Sequence, residues 1–174
     1  MSGPFYDMAR HTQRLILRAA RQDDLDDLFA IFSDPQAMAY WSTAPHDRPA
    51  RTQENLDRLI ASAAETLTYF VIEKDGRAIG TAGQHRGTEV GFLLHPDYWR
   101  QGIVTEAMQT IIPHLWQVTD HTQLTADADP NNVASCGLLR SLGFHETHRA
   151  ANTYCINGVW SDSVYFALPR PAEA

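Results

Sequence analysis

Residues 89–128 constrain the fold more than any other stretch. "EVGFLL" (89–94) is a strand, "HPDYWRQGIVTEAM" (95–108) leaves it and enters a helix near Gly102, and "TQLTADA" (122–128) is a strand again. Val104, Ala107, Met108, Ile111 and Leu115 fall on one face of that helix, and Pro113 is expected to kink or end it. A strand–helix–strand unit of this length closes as a right-handed crossover with its two strands parallel. Elsewhere the signals are those of hairpins. Asp75-Gly76 separates "YFVIE" (69–73) from "AIGTAGQ" (78–84), and Asn157-Gly158 separates "NTYCI" from "VWSDSVYFAL". "EVGFLL" follows Arg86-Gly87, and Gly91 inside it predicts a bulge or a close backbone approach.

The remaining elements complete one order. "QRLILR" (13–18) is a strand. A helix follows Asp23-Asp24, carries Leu25, Leu28, Phe29 and Phe32 on one face, and is closed by Pro35. After the aromatic loop "MAYWSTAPHDRP", Thr52 is expected to cap a second helix whose apolar face is Leu56, Leu59, Ile60 and Ala63. Asn131 or Asn132 caps a short helix that ends at Gly143, and "FHETHRA" is a further strand. The order β-α-α-β-β-β-α-β-α-β-β predicts a single α/β (α+β) domain. Its sheet is mixed and mostly antiparallel, flanked by helices, with one parallel β-α-β pair. We place it at residues 13–168, with an N-terminal extension at 1–12 and a C-terminal tail at 169–174.

The chain has 174 residues, enough for an ordinary core. No apolar run is long enough to span a bilayer, and the first residues lack the layout of a signal peptide, so no membrane partner and a cytoplasmic location are expected. The net charge of -7, without a basic tract, argues against nucleic-acid binding and favours a cationic partner such as an amine. Cys136 and Cys155 make neither a disulfide framework nor a metal spacing. His145 and His148 are expected on opposite faces of a strand, and no metal site is predicted. Lys74, the only lysine, sits in a turn signal, which removes Schiff-base chemistry. No GxxxxGK[ST] or GxGxxG fingerprint is present.

An anionic ligand would therefore need a local cradle, and the junction at Gly102 offers one. The first amides of a helix have no partner within it, and the helix dipole adds partial positive charge. Gly102 lets a bulky diphosphate approach the backbone, and Gln101, Ile103, Val104 and Thr105 supply further N–H donors.

With a second stretch, "NNVASCGLLRSLGF" (131–144), the sequence resembles the GNAT superfamily of acetyl-CoA-dependent N-acetyltransferases. "HPDYWRQGIVTEAM" is similar to that superfamily's pyrophosphate signature. "NVASCGLLRSLGF" (132–144) is similar to the N-x-x-S…L-G-F run of the branch that acetylates the N-terminal alanine or serine of ribosomal proteins. The resemblance spans roughly residues 13–168. It departs from the general signature at Trp99, at the bulkier Val104, and at Leu139, where many members carry the tyrosine that protonates the departing thiolate.

The resemblance implies that acetyl-CoA is the cofactor and an amine, either a protein N-terminus or a small molecule, the acceptor. A homodimer is compatible with it. It also implies residue roles. The amides of Gln101, Gly102, Ile103, Val104 and Thr105 hold the diphosphate. Leu93 and Leu94 pair through backbone with the pantetheine arm, which adds like a strand. Asn132 bonds the arm's amides, Ser135 lies near the thioester sulfur, and Arg100 and Arg140 are candidates for the 3′-phosphate.

The expected chemistry is direct attack of a neutral amine on the thioester. An α-amine, with a reference pKa near ~8 against ~10.4 for lysine, asks little of a base. Glu89 is the candidate base, acting through water, and its alternative role is a solvated strand-start carboxylate. Ser135 is the candidate donor to the thiolate, its alternative being a local helix-turn bond. A backbone N–H around Gly91–Leu93 is the candidate oxyanion donor, and Trp41 the best acceptor-side aromatic. The absent tyrosine leaves open a non-catalytic acyl-CoA-binding module. A structural partner protein without CoA affinity is the third alternative.

Overall fold

The computed structural model describes residues 9–172. Among these residues eight strands form one sheet: β1 (Arg10–His11), β2 (Ile16–Arg18), β3 (Tyr69–Lys74), β4 (Arg77–Arg86), β5 (Glu89–Leu94), β6 (Gln123–Ala128), β7 (His145–Ile156) and β8 (Val159–Pro169). Their spatial order is β1-β2-β3-β4-β5-β6-β8-β7. Only β5 and β6 are parallel; every other neighbouring pair is antiparallel. Four helices interrupt the strands: α1 (Leu25–Phe32), α2 (Pro49–Glu65), α3 (Ile103–Val118) and α4 (Val133–Ser141). The chain thus adopts the predicted mixed sheet, with α3 as the crossover between the parallel pair.

Both sheet faces are covered, which is why β3 reads as a continuous apolar run. On one face Leu28, Ile31 and Phe32 of α1 and Leu56 of α2 pack on Val71, Ala78 and Leu93. On the other, Ile103, Met108, Ile111 and Leu115 of α3 and Leu139 of α4 pack on Phe70, Ile72, Ile79, Leu94 and Phe166. Each fully buried side chain of this kind contributes about 1.5–3 kcal/mol. Both predicted two-residue turns form, with Asp75, Gly76, Asn157 and Gly158 all at positive φ, as a type I′ turn requires. A buried ion network ties the N-terminal strand to the first helical turn. Arg18 bonds both carboxylate oxygens of Asp24, at 2.9 and 2.7 Å, and its Nε also donates to Glu73.

Several local expectations are corrected. The strand predicted at 13–18 is short, and Arg10–His11, assigned to the extension, pair with it instead; residues 1–8 of that extension lie outside the described residues. β8 runs one residue past the predicted boundary, to Pro169. α1 ends at Phe32, before Pro35, because Ser33 already closes the last turn onto Phe29 and Ile31. Thr52 does not cap α2. The helix begins at Pro49, and Thr52 is buried within it, 2.8 Å from His46 Nδ1. Pro113 does not end α3, which continues to Val118; burial of Ile112, His114 and Leu115 outweighs the lost backbone bond. "FHETHRA" and "NTYCI" are one strand, β7, broken by bulges. One bulge falls between Glu146 and His148, so His145 and His148 face Ala167 and Tyr165, two residues apart on β8. They share a face after all, yet no group of three metal-ligating side chains exists among the described residues. Among those residues, too, no helix is long and apolar enough to cross a membrane.

Candidate active site

The crossover produces a wedge. β5 and β6 pair at one position, Glu89 with Thr125, where Thr125 N–H donates to Thr88 O at 2.9 Å. Beyond it the strands part, and a cleft of about 610 Å³ opens between Val90–Leu94 on one side and Ala126–Asp129 on the other. The first turns of α3 and α4 close it. This is an ordinary volume for a small-molecule site.

One wall of the wedge is an unpaired strand edge. His95 N–H donates to Ile79 O at 2.8 Å, which makes Thr81/Leu93 and Gly83/Gly91 the bond-exchanging pairs of the β4–β5 ladder. The backbone groups of Phe92 and Leu94 therefore point the other way, into the cleft. Leu94 O accepts from Trp99 Nε1 at 2.9 Å, while the Leu94 N–H and both groups of Phe92 have no partner among the described residues. Leu93, predicted to share this edge, lines the cleft but turns its backbone groups to Thr81, and its side chain is buried beneath α1. Phe92 presents its backbone groups on that edge instead. The difference is one of parity, which a sequence without register cannot fix.

At the cleft's base lies the α3 N-terminus. Gly102 is its N-cap, at φ 71°, in the left-handed region. Its carbonyl accepts from Glu106 N–H at 3.0 Å, but the amides of Gln101, Gly102, Ile103, Val104 and Thr105 donate to no oxygen among the described residues. Arg100 also has positive φ, 59°, so two of the three residues before Ile103 are in the left-handed region. A Cβ on Gly102 would meet only Arg14 Nη2, at 3.7 Å, so the space before the glycine is open. Arg14 is steered there by Glu106, whose carboxylate accepts from Arg14 N, Arg14 Nε and Thr12 Oγ1. Burial works against ionisation of Glu106, and these bonds overcome it, holding the carboxyl below its ordinary range. Free amides, open space and a cationic rim fit a diphosphate.

The α4 N-terminus forms the opposite rim. Asn132 is its N-cap, with Oδ1 accepting from Ser135 N at 3.2 Å. That leaves the Asn132 NH₂ group for a ligand. Ser135 lines the cleft, and its hydroxyl bonds to no described residue. Leu139 also lines the cleft and cannot donate a proton. Of the two arginines, Arg100 lies on the cleft, while Arg140 stands 3.5 Å from Glu146, outside the lining.

A second cavity of about 430 Å³ adjoins the first across Val90, Gly91 and Asp127. It opens toward the loop after α1, where Tyr40 and Trp41 border both cavities. Its ionisable lining is acidic: Glu89, Asp127, Asp129 and Asp162, with His85 and Tyr154. Glu89 Oε1 is 3.2 Å from His85 Nε2, and Oε2 is 3.7 Å from Arg86 Nη2. Tyr154 donates to Asp127 Oδ2 at 2.8 Å. Burial and the surrounding carboxylates push its phenol up to about 12. The bulge expected at Gly91 is on the facing strand: the β4–β5 register shifts between Gln84 and Arg86, leaving His85 as the extra residue. At Gly91 it is a side chain, not a backbone, that comes close: a Cβ there would lie 3.3 Å from His85 Cδ2. His85, Asp127 and Tyr154 escape sequence reasoning because they meet from three separate strands; the acidic composition is their only linear trace.

Comparison with known proteins agrees with this fold. Residues 14–145 match the family model of the acetyltransferase (GNAT) domain. The chain is 25% identical over 179 residues to the N-acetyltransferase YoaA of Bacillus subtilis (strain 168), covering 93% of this chain and 97% of that one. Its fold superposes with a TM-score of 0.79 on the ribosomal-protein-S5-alanine acetyltransferase from Vibrio fischeri, at 21% identity, covering 94% and 97% of the two chains. It superposes with a TM-score of 0.78 on the microcin C7 self-immunity acetyltransferase MccE in complex with acetyl-CoA and AMP, at 13% identity, covering 91% and 93%. A split parallel strand pair, a bare helix N-terminus at its base and a family match across three-quarters of the sequence all lead to one assignment: this chain is a member of the GNAT family of acetyltransferases.

Proposed function

We propose that the protein moves the acetyl group of acetyl-CoA to a primary amine by direct attack on the thioester. The observation that carries the reading is the set of five amides at Gln101–Thr105 without a partner among the described residues, at the foot of a wedge whose side is an open strand edge. Acetyl-CoA supplies an activated acetyl group on a good leaving thiolate. The chain's residues do the rest. The α3 amides bind the diphosphate, with Arg100 and Arg14 at the rim. Phe92 and Leu94 hold the arm as an added strand, and the Asn132 NH₂ group bonds it from α4. The Phe92 N–H is the donor available to a carbonyl oxygen along this edge. Ser135, with its hydroxyl uncommitted, donates to the departing sulfur, whose reference pKa near ~8.5 demands no stronger acid. The acidic second cavity admits the acceptor as an ammonium ion, and Glu89 is the carboxylate toward which its proton is drawn.

The test is thiol release from acetyl-CoA with a panel of peptides starting in alanine or serine and of small primary amines, alongside calorimetric titration with acetyl-CoA. Saturable binding and amine-dependent release are expected. Binding without release on every amine would make the protein an acyl-CoA-binding module. No measurable binding would remove the reading altogether.

A further inference from the structure

We propose that His85 is the catalytic residue that takes the proton from the incoming ammonium, with Glu89 as its positioning residue. The inference rests on the acetyl-transfer reading and assigns a role that Glu89 alone was expected to fill.

Three observations carry it. The β4 bulge leaves His85 as the unpaired residue of the β4–β5 ladder, and bulges of this kind re-aim a side chain. The re-aimed imidazole lies on the backbone of β5 at Gly91, where glycine leaves room for it. That point is shared by the two cavities, one carrying the acetyl donor in the proposed reading and the other the acceptor. Finally, His85 Nε2 is 3.2 Å from Glu89 Oε1. The ring edge turned to Gly91 is Cδ2–Nε2, so Nε2 is the atom that takes the proton, and the imidazolium formed there is held by Glu89 Oε1. Glu89 is therefore already committed to the imidazole and, through its second oxygen, to Arg86.

The ionisation of His85 suits the task. Burial lowers its pKa, Glu89 opposes that shift, and Arg86 adds to it, so the ring is neutral near pH 7. The other groups around it are Tyr69 of β3, edge-on at 6.2 Å, and, across the cavity, Asp127 of β6, Asp129 just beyond it, Tyr154 of β7 and Asp162 of β8. In the step, a proton passes from the ammonium to His85, giving imidazolium beside the Glu89 carboxylate. The neutral amine forms its N–C bond as the C–S bond breaks. The nitrogen's second proton ends on sulfur, and the imidazolium proton goes to solvent.

The experiment is the pH profile of kcat for the wild type, His85→Gln and Glu89→Gln. The acceptor is the best amine of the panel above, and acetyl-CoA affinity is measured by calorimetry in parallel. His85→Gln is expected to lower kcat about 100-fold at neutral pH. It should also erase the acid limb while binding acetyl-CoA as the wild type does. Glu89→Gln should keep the limb but move it to lower pH, because the carboxylate raises the His85 pKa. The proposal is overturned if His85→Gln retains the limb, or if Glu89→Gln is the variant that loses it. Retained acetyl-CoA affinity in both variants keeps the cofactor reading standing whichever way the profiles fall.

Discussion

The Tyr154 hydroxyl and the Asp127 carboxylate, 2.8 Å apart, join β7 to β6 across the second cavity. Burial, reinforced by this carboxylate, favours the neutral phenol, which ionises only at about 12. A group whose pKa is raised on folding contributes stability that is complete below its unfolded value, near ~10 for tyrosine. That contribution is lost as pH rises toward the folded value. Tyr154→Phe should therefore flatten the fall in melting temperature across this alkaline window. The check is thermal melting against pH for both proteins; parallel curves would show that the hydroxyl is not held by Asp127.

Gly102 sits at φ 71° with open space before it. Gly102→Val places a β-branched side chain in the left-handed region, at a cost of about 1–2 kcal/mol, and fills the approach to the α3 amides. Acetyl-CoA affinity should fall at least about 10-fold, equivalent to ~1.4 kcal/mol, while circular dichroism stays that of the folded protein. Unchanged affinity would move the cradle elsewhere.

Arg18 and Asp24 are each only 5% exposed. Asp24→Ala strands a buried guanidinium with Glu73 as its remaining carboxylate and removes the acceptor of Arg21 N–H. Breaking such a pair costs about 3–5 kcal/mol, with the lower end expected because Glu73 remains. Urea unfolding measures it. Asp24→Asn, which keeps an acceptor, should cost less.

Ser135 and Asn132 stand three residues apart but are separable. Ser135→Ala should lower kcat and leave acetyl-CoA affinity intact, since only its backbone N–H serves the cap. Asn132→Ala should lose both the cap, about 1 kcal/mol, and affinity for the arm. Steady-state kinetics paired with calorimetry distinguishes them, and equal loss of kcat and affinity in Ser135→Ala would reduce its hydroxyl to a binding role.

Much of the fold is legible because it is punctuated locally. Asp75-Gly76, Asn157-Gly158, Gly102 and Asn132 each sit where a backbone conformation or a cap demands that residue type. What escapes is register. The displacement of the bulge from Gly91 to His85, the exchange of Leu93 for Phe92 at the cleft edge and the shared face of His145 and His148 all depend on which residue stands opposite which. Pairing is a long-range property, and a shift of one residue inverts every side chain. Thr52 fails for a related reason: its hydroxyl is used by His46, from a loop no helical pattern predicts. The α3 N-terminus is legible because a helix start and its glycine are contiguous in the chain. The second, acidic cavity is not, because His85, Asp127 and Tyr154 come from β4, β6 and β7.

The single pairing between β5 and β6 has a consequence for the molecule's behaviour in a crowded solution. Unzipped strand margins ordinarily invite foreign chains and clumping. Here the raw margin lies at the bottom of a furrow walled by α3 and α4, where a slender, flexible guest can lie down but the rigid sheet of a neighbouring protein finds no way in.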